Sequence, residues 1–330
     1  MDEHDKRGGV AVPARRIPIP ASISHQARAA LARQIGEDGV PHNARHMMPL
    51  PSDHDGWMAL KTIAEQHYAA ATDALAATLR DRVETIRTEG ATIHVATPDE
   101  ALYAERVLLD FHGGAFVFGG GEACRIQTRG MAHRHGVVCH GVDYRMPPEY
   151  PFPAALDDAV SAYRDLLARY DPAHIVVSGR SAGGNLAAAL MLRAKVERLA
   201  MPAGLILLSP EVDLTESGDS FQTNRLIDVV LPGSLMASNR LYAGAADLSD
   251  HLLSPLFGDL MGFPPTLLQT GTRDLFLSNT VRLHRRLRDA GVAADLHVFE
   301  AMPHGGFTGS TPEDKDLDRE ISRFLARCWG

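Results

Sequence analysis

A serine between two glycines lies at the centre of residues 174–190, HIVVSGRSAGGNLAAAL. The apolar run at 174–178 predicts a buried strand, and the Ala- and Leu-rich run from residue 183 predicts a helix. Gly179, Ser181 and Gly183 between them form a G-x-S-x-G sequence, which is typical of a sharp strand-to-helix turn that exposes a nucleophile. A chance match is the alternative, since 29 of the 330 residues are glycine, but the flanking strand and helix argue against it.

Short apolar runs alternate with helical segments through most of the chain. Two stretches that alternate apolar with polar residues, at 83–87 and 92–96, predict an antiparallel pair of strands. Further strands are predicted at 106–111, 136–142, 174–178, 203–208, 265–269 and 295–299, with helices at 122–134, 153–169, 183–198, 278–290 and 313–328. Strands that alternate with helices predict an α/β fold, here a doubly wound, mostly parallel sheet of eight strands.

The first 80 residues have a different pattern from the rest. Helical spacing over 24–35, and again from Asp53 through His67, predicts an N-terminal helical cap segment at 1–80, followed by an α/β core at 81–330. Residues 214–250 break the alternation and are interpreted as an insertion in that core. We expect the cap and the insertion to cover the carboxyl ends of the strands, where open α/β sheets bind ligands.

Composition narrows the class of protein. The formal charge of −8 and the pI near 6.0 argue against nucleic acid as a partner. Three scattered cysteines without C-x-x-C spacing argue against a disulfide framework or a cysteine-ligated zinc and favour a reducing compartment. Neither an apolar leader sequence nor a run of about 18 apolar residues is present, so the sequence predicts a cytoplasmic protein without a membrane span.

A glycine-rich loop follows the predicted strand at 106–111. Residues 112–119 read HGGAFVFG, and consecutive glycines let backbone amides face a reacting oxyanion without hindrance. We predict an oxyanion hole formed by the N–H groups of Gly113, Gly114 and Ala182, with His112 bracing the loop. A phosphate-binding loop is the alternative, but the Lys-Ser/Thr ending and the G-x-G-x-x-G register are both missing.

A nucleophilic serine needs a base, and the base needs an orienting acid. Asp274 and His304 both follow predicted strands, at the sheet edge where Ser181 is expected. The chain order Ser, Asp, His is that of α/β-hydrolases. Asp295 is a weaker candidate because it starts a strand, at the opposite edge.

Four motifs in this order resemble the hormone-sensitive-lipase-type branch of the α/β-hydrolases, a group of microbial carboxylesterases. They are HGGAFVFGG, GRSAGGN, the stretch DYRMPPEYPFPAALDD at 143–158, and the surroundings of Asp274 and His304. The resemblance covers about residues 80–330. It implies a catalytic domain at 81–330, an N-terminal helical cap, a structural role for 143–158 and a homodimer through the last strand. The sequence at 302–307, MPHGGF, is also similar to bacterial esterases that include lactone hydrolases.

Three residues depart from the family pattern. Ala115 replaces a glycine but stays small. Arg180 stands before the serine, where a small or acidic residue is common, and Glu211 stands where a large apolar residue is common. A buried arginine is costly unless it is paired, so we hypothesise an ion pair between Arg180 and Glu211 beneath the turn. The alternative is that Arg180 faces solvent or binds an acidic group of the substrate.

The sequence therefore predicts a serine hydrolase that cleaves small to medium carboxylic esters with Ser181, His304 and Asp274, without a metal or cofactor. Its expected partner is a small-molecule ester. Lactone, amide or carbamate hydrolysis would use the same triad, and a non-catalytic ligand receptor would leave the triad unexplained. Candidate residues of the substrate pocket are Trp57, Phe118, Leu226, Leu235, Met236 and Phe307.

Overall fold

A computed structural model of the chain describes residues 8–88, 90–103 and 105–330, without the side chains of residues 67–75. The part of the predicted cap at residues 1–7, and the side chain of His67, therefore lie outside the described residues.

A single sheet organises the described part of the chain. Its strands are β1 (Asp81–Arg87), β2 (Thr92–Pro98), β3 (Val107–Phe111), β4 (Val138–Asp143), β5 (Ile175–Arg180), β6 (Gly204–Leu208), β7 (Thr266–Gly271) and β8 (Ala294–Phe299). They lie in the order β1-β2-β4-β3-β5-β6-β7-β8. β2 is antiparallel to both β1 and β4, and every other pairing is parallel. The predicted eight-stranded, mostly parallel sheet is confirmed.

Helices connect these strands. The α-helices are α1 (His25–Arg33), α2 (His54–Ala76), α3 (Glu122–His135), α4 (Ala154–Leu167), α5 (Ala182–Val196), α6 (Ser220–Thr223), α7 (Met236–Ala243), α8 (Leu277–Asp289) and α9 (Pro312–Trp329), and short 3-10 turns lie at His42–Arg45, Pro172–His174 and Pro255–Phe257. Each helix predicted in the core begins and ends within two residues of its observed bounds. None of the helices described combines the length and apolar character that a membrane span requires.

Both faces of the sheet are covered, as the fully buried strands require. Leu186 of α5 and Leu283 of α8 belong to the apolar core on one face, which α4 also helps to form. Met131 of α3 and Ile321 of α9 belong to the core on the other face. α5 is buried along nearly its whole length, which explains its run of alanines and leucines.

The N-terminal segment packs beside the loops that follow the strands. Leu31 of α1 clusters with Met302 and Phe307, after β8. Ser24 caps α1 and is itself bonded through its hydroxyl to the carboxylate of Glu313, at 2.8 Å. These contacts put α1 next to α9. The division into a cap segment at 1–80, a core at 81–330 and an insertion at 214–250 stays a prediction.

A half-buried ion pair stabilises the segment after β4. The Asp158 carboxylate, 1% exposed, accepts from Nε and Nη2 of Arg145 and from the Arg145 backbone N–H, at 2.7–3.1 Å, whereas the Arg145 side chain is 39% exposed. The carboxylate thereby fixes the chain from β4 to α4, which contains the motif at 143–158. Hydrogen bonds to a charged group stabilise more than neutral ones.

We expect Asp158→Asn to lower the free energy of unfolding by about 2 kcal/mol, because the buried side chain at 158 loses its charge-assisted hydrogen bonds to Arg145. Urea denaturation measures this change. Asp289→Asn is the control, since its pair with Arg285 is exposed and its removal should leave the unfolding midpoint unchanged. Equal effects of the two substitutions would contradict the structural role of Asp158.

Candidate active site

The chain turns sharply at Ser181, where β5 gives way to α5. The backbone of Ser181 has φ 57° and ψ −121°, a conformation that residues other than glycine rarely adopt. A Cβ at position 183 would lie 2.0 Å from the Phe111 carbonyl oxygen, and one at 179 would lie 2.1 Å from the Gly183 carbonyl oxygen. The glycine at 183 therefore lets α5 pass close to the end of β3. The glycine at 179 is required by the turn itself and not by a neighbouring strand.

Backbone hydrogen bonds hold the strained turn in place. The Ser181 N–H donates to the Leu208 carbonyl at the end of β6, at 2.9 Å. The Ser181 carbonyl accepts from the Asn185 N–H at 3.1 Å and from the Glu211 N–H at 3.2 Å. The ends of β5 and β6 are thus joined at the serine, and its side chain is aimed by the backbone around it.

The glycine loop after β3 passes directly beside this serine. A Cβ at Gly113 would lie 3.3 Å from the Cβ of Ser181. Gly114 has φ 126°, and its carbonyl accepts from the N–H groups of Val117 and Phe118 at 2.9 and 2.8 Å. Ala182 is the first residue of α5, so its N–H is one of the unpaired donors at a helix N-terminus. The three amides predicted for the oxyanion hole therefore come from two elements that meet at Ser181.

His112 packs beneath the loop. Its Nδ1 donates to the Gly113 carbonyl at 2.8 Å, and its ring stacks on Tyr144 with the centroids 4.1 Å apart. The Tyr144 hydroxyl donates in turn to the His112 carbonyl at 2.9 Å. Burial lowers the pKa of His112, which favours the neutral ring. These contacts are those expected of a residue that braces the loop.

Asp274 and His304 are in direct contact. Nδ1 of His304 lies 3.1 Å from Oδ1 of Asp274, and the carboxylate also accepts from the Phe276 N–H and the Thr270 hydroxyl at 2.9 Å. Burial acts to raise the pKa of Asp274, but the charge and hydrogen bond of His304 oppose it and the net shift is downward. The acid is therefore ionised, as an orienting carboxylate must be.

Asp228, which the sequence analysis missed, is a second buried carboxylate at this site. It lies in the stretch between α6 and α7 and accepts from the backbone N–H groups of Val230, Leu231, Leu275 and His304, at 2.8–3.3 Å. Burial and the charge of Asp274 raise its pKa to about 6. One side chain of the insertion therefore holds the backbone of both triad loops. No local pattern marks it as part of the site, because the two amides that connect it to the triad loops, those of Leu275 and His304, are distant in sequence.

The hypothesis of an Arg180–Glu211 ion pair is wrong. Nη1 of Arg180 donates to the Gly305 carbonyl at 2.8 Å, and the charged groups around Arg180 belong to β3, α3 and α9. Glu211 is fully buried beside α5 and the insertion, and burial raises its pKa well above the usual range. The two side chains leave the strand ends toward opposite faces of the sheet. Glu211 avoids the cost of a buried charge by protonation and needs no cation.

A cavity of about 530 Å³ opens beside the serine. Ser181, His304 and both loop glycines line it, and Ser181 and His304 are only 6% and 7% exposed. The side chains that line the rest of the cavity are Asn43, Met48, Ala115, Phe118, Ala123, Ile126, Gln127, Arg134, Arg180, Val230, Leu231 and Leu235.

Only Phe118 and Leu235 of the six predicted pocket residues line this cavity. Trp57 is fully buried against Val117 and Leu241, and Phe307 packs against α1. Leu226 is 55% exposed, and Met236 begins α7 outside the cavity. Those four predictions are corrected. The apolar character of a residue does not show whether its side chain faces the core, the cavity or solvent. For the same reason the sequence did not indicate three residues that line the cavity, Met48 of the N-terminal segment and Val230 and Leu231 between β6 and β7.

One cluster of potential metal ligands occurs among the described residues. Ligand atoms of His112, Cys124 and Asp143 lie within 4.8 Å of one another. Burial raises the pKa of the Cys124 thiol well above its usual value, which disfavours the thiolate that a metal would bind. We assign this cluster no metal.

Ser181 follows β5, which is the third parallel strand counted from the antiparallel edge of the doubly wound sheet. An acid and a histidine follow later strands. This is the arrangement of an α/β-hydrolase. Residues 108–308 match a protein family described as having the alpha/beta hydrolase fold. The chain belongs to this family.

Relatives named as esterases or hydrolases and solved esterase structures are similar to this chain. An esterase of Acinetobacter venetianus is 34% identical over 226 residues, which cover 67% of this chain and 75% of that protein. An acetyl-hydrolase of Streptomyces hygroscopicus is 32% identical over 60% of this chain and 67% of its own. The crystal structure of esterase E25 matches with a TM-score of 0.90 and 35% identity, over 97% of this chain and 98% of that one. An esterase of the bacterial hormone-sensitive lipase family matches with a TM-score of 0.77 and 30% identity, over 93% and 99% of the two chains. The resemblance to the hormone-sensitive-lipase-type branch is confirmed.

We expect Asp228→Asn to lower kcat on the order of 10²-fold, because one amide oxygen cannot hold four N–H groups and small displacements of catalytic groups are costly. The substitution should also change the pH dependence of stability. Since the folded-state pKa of about 6 lies above the ordinary value, the stability that Asp228 contributes is full below about pH 4 and is lost as the pH rises through about 6.

Urea unfolding between pH 4 and 7 measures this second effect, and the slope due to Asp228 should vanish in the variant. Asp219→Asn, an exposed position in the same insertion, is the control and should match the wild type. Unchanged kcat and an unchanged slope in Asp228→Asn would contradict the role given to Asp228.

Proposed function

We propose that the protein is a carboxylesterase that works through an acyl-enzyme on Ser181. The observation that carries the proposal is the Asp274–His304 pair, which opens on the same cavity as the serine of the strand-to-helix turn. The relatives named as esterases and as an acetyl-hydrolase support the same reaction class.

Each residue of the triad has one role in this mechanism. His304 takes the proton of the Ser181 hydroxyl as that oxygen attacks the ester carbonyl, and the carboxylate of Asp274 stabilises the imidazolium that forms. The histidine then gives its proton to the leaving alcohol, so the acyl group stays on the serine. Water, deprotonated by the same histidine, attacks the acyl-enzyme and releases the acid.

An oxyanion forms in each step of this mechanism. It accepts hydrogen bonds from the N–H groups of Gly113, Gly114 and Ala182. Support comes from the short approach of Gly113 to Ser181 and from the position of Ala182 at the start of α5. Preorganised amides in a water-poor site stabilise such an anion strongly. His112 serves to keep the loop in shape through its bond to the Gly113 carbonyl.

The substrate is a small to medium ester. Met48, Val230, Leu231, Phe118 and Leu235 make the walls largely apolar, and Ser181 is almost buried beside them. A cavity of about 530 Å³ is at the size of ordinary small-molecule sites. Lactones, amides and carbamates would use the same groups, and none of the described contacts favours them over open-chain esters. A purely ligand-binding role would give the Asp274–His304 pair no task.

A homodimer in the cytoplasm completes the proposal. β8 lies at the edge of the sheet, with Val298 44% exposed, and its free backbone groups suit pairing with a second copy.

We expect Ser181→Ala to abolish turnover of p-nitrophenyl esters from acetate to laurate, with kcat on the order of 10⁶-fold lower. Asp274→Asn should cost about 10⁴-fold because the histidine then adopts the wrong tautomer. A lactone panel run beside these esters tests the alternative substrates. Wild-type protein that neither turns over any of these substrates nor reacts with a fluorophosphonate would contradict the proposed function.

We expect light scattering after size-exclusion chromatography to give a dimer mass. Val298→Lys should shift it toward the monomer, because the charge interferes with strand pairing at the β8 edge. Arg164→Gln, an exposed arginine of α4 on the side of the sheet away from β8, is the control. A monomeric wild-type protein would refute the dimer.

A further inference from the structure

One side of the cavity beside Ser181 carries polar side chains, and we call this side the polar arm. It is formed by Gln127 and Arg134 of α3 and by Arg180, with Ala123, Ile126 and Gly130 of α3 and Gly305 beside them. A Cβ at Gly130 would lie 3.0 Å from Nη1 of Arg134, so the guanidinium of Arg134 packs close to the backbone of α3. α3 covers the same face of the sheet as α9, whereas the apolar side chains of Met48, Val230 and Leu231 come from the N-terminal segment and from the stretch between β6 and β7.

Arg180 carries a positive charge into this arm without a carboxylate partner. Its Nη1 donates to the Gly305 carbonyl at 2.8 Å, and among the described residues no carboxylate oxygen lies within 4.0 Å of its guanidinium. A guanidinium has five N–H donors, so most of its capacity is left for a ligand. Burial and the nearby charge of Arg134 lower the pKa of Arg180, and the charges of Asp110, Asp314 and Asp318 oppose that shift only in part.

The acidic side chains near Arg180 are already engaged elsewhere. Asp110 accepts from the Ser178 hydroxyl and from Nε2 of Gln127, and burial raises its pKa, which favours the neutral acid. Asp314 accepts from backbone N–H groups and the hydroxyl at the start of α9. Asp318 lies 3.5 Å from Nε of Arg134. Among the described residues Arg180 therefore has acidic side chains nearby but none in direct contact, whereas Arg134 contacts Asp318.

We propose that the arm binds a carboxylate of the substrate, so that the preferred esters carry an acidic group in addition to the ester bond. The planar guanidinium of Arg180 matches a carboxylate in two-pronged geometry, and Arg134 adds a second positive charge. Half-esters of dicarboxylic acids and O-acyl hydroxy acids are the two forms that such a substrate takes. This inference rests on the proposed esterase function, because the anion is held beside the loop that carries His304.

The experiment compares esters that differ only in charge. Monoethyl glutarate and the ethyl ester of glutaric monoamide test a carboxylate on the acyl side, and 4-acetoxybutanoate and 4-acetoxybutanamide test one on the alcohol side. We expect wild-type kcat/KM to favour the carboxylate over its carboxamide at least tenfold in one of the two pairs. Which pair shows the preference identifies the side of the ester that faces the arm.

Substitutions then assign the preference to the arginines. Arg180→Gln should lower kcat/KM for the preferred acidic ester at least tenfold more than for its carboxamide, and Arg134→Gln should do so by a smaller factor. Arg323→Gln, an arginine on the exposed side of α9, should leave the ratio unchanged. Should Arg180→Gln fail to fold, the wild-type ratio and the Arg134→Gln variant decide the question.

Two results would overturn the inference alone. One is wild-type protein that turns over both members of each pair equally or favours the carboxamides. The other is an Arg180→Gln variant that loses activity toward both members by the same factor, since Arg180 would then only support the loop at 304–306. Wild-type protein inactive on p-nitrophenyl butyrate and on all four esters would instead refute the proposed esterase function.

Discussion

The left-handed backbone at Ser181 is the constraint on which the rest of the site depends. A φ of 57° turns the chain from β5 into α5 within one residue, and the missing side chain at Gly183 lets the helix start against the carbonyls at the end of β3. This close approach brings the glycine loop after β3 to the serine. The strain is balanced by the bonds of Ser181 to Leu208 and Glu211, which join two strands at that point.

The stretch between β6 and β7 contributes residues to the site, as the loops at the strand ends do. Through Asp228 it holds the backbone of Leu275 and His304, next to the acid and at the base of the proposed triad. Its side chains Val230, Leu231 and Leu235 also form cavity walls. Backbone hydrogen bonds thus connect the stretch between β6 and β7 to the loops that carry Asp274 and His304. A substitution in that stretch can therefore displace the triad residues.

Buried acidic and basic side chains near the serine differ in their protonation state and in what compensates their charge. Asp274 stays ionised because His304 and its hydrogen bonds oppose the effect of burial, whereas burial raises the pKa of Glu211 and favours its neutral form. Arg180 cannot lose its proton at ordinary pH and has only a carbonyl as its partner. An arginine so placed beside a nucleophile has its natural complement in a ligand.

Local pattern was sufficient to predict the sheet, the core helices and the positions of Ser181, Asp274 and His304 in chain order, because strand-to-helix turns and strand ends depend on residues close in sequence. The contact between Asp274 and His304 followed from the rule that carboxyl ends of parallel strands share an edge. Asp228, the four misplaced pocket residues and the partner of Arg180 could not be predicted in this way. Each of these depends on the direction in which a side chain points from a strand end or from the N-terminal segment. Only the packing of segments that are distant in sequence decides that direction.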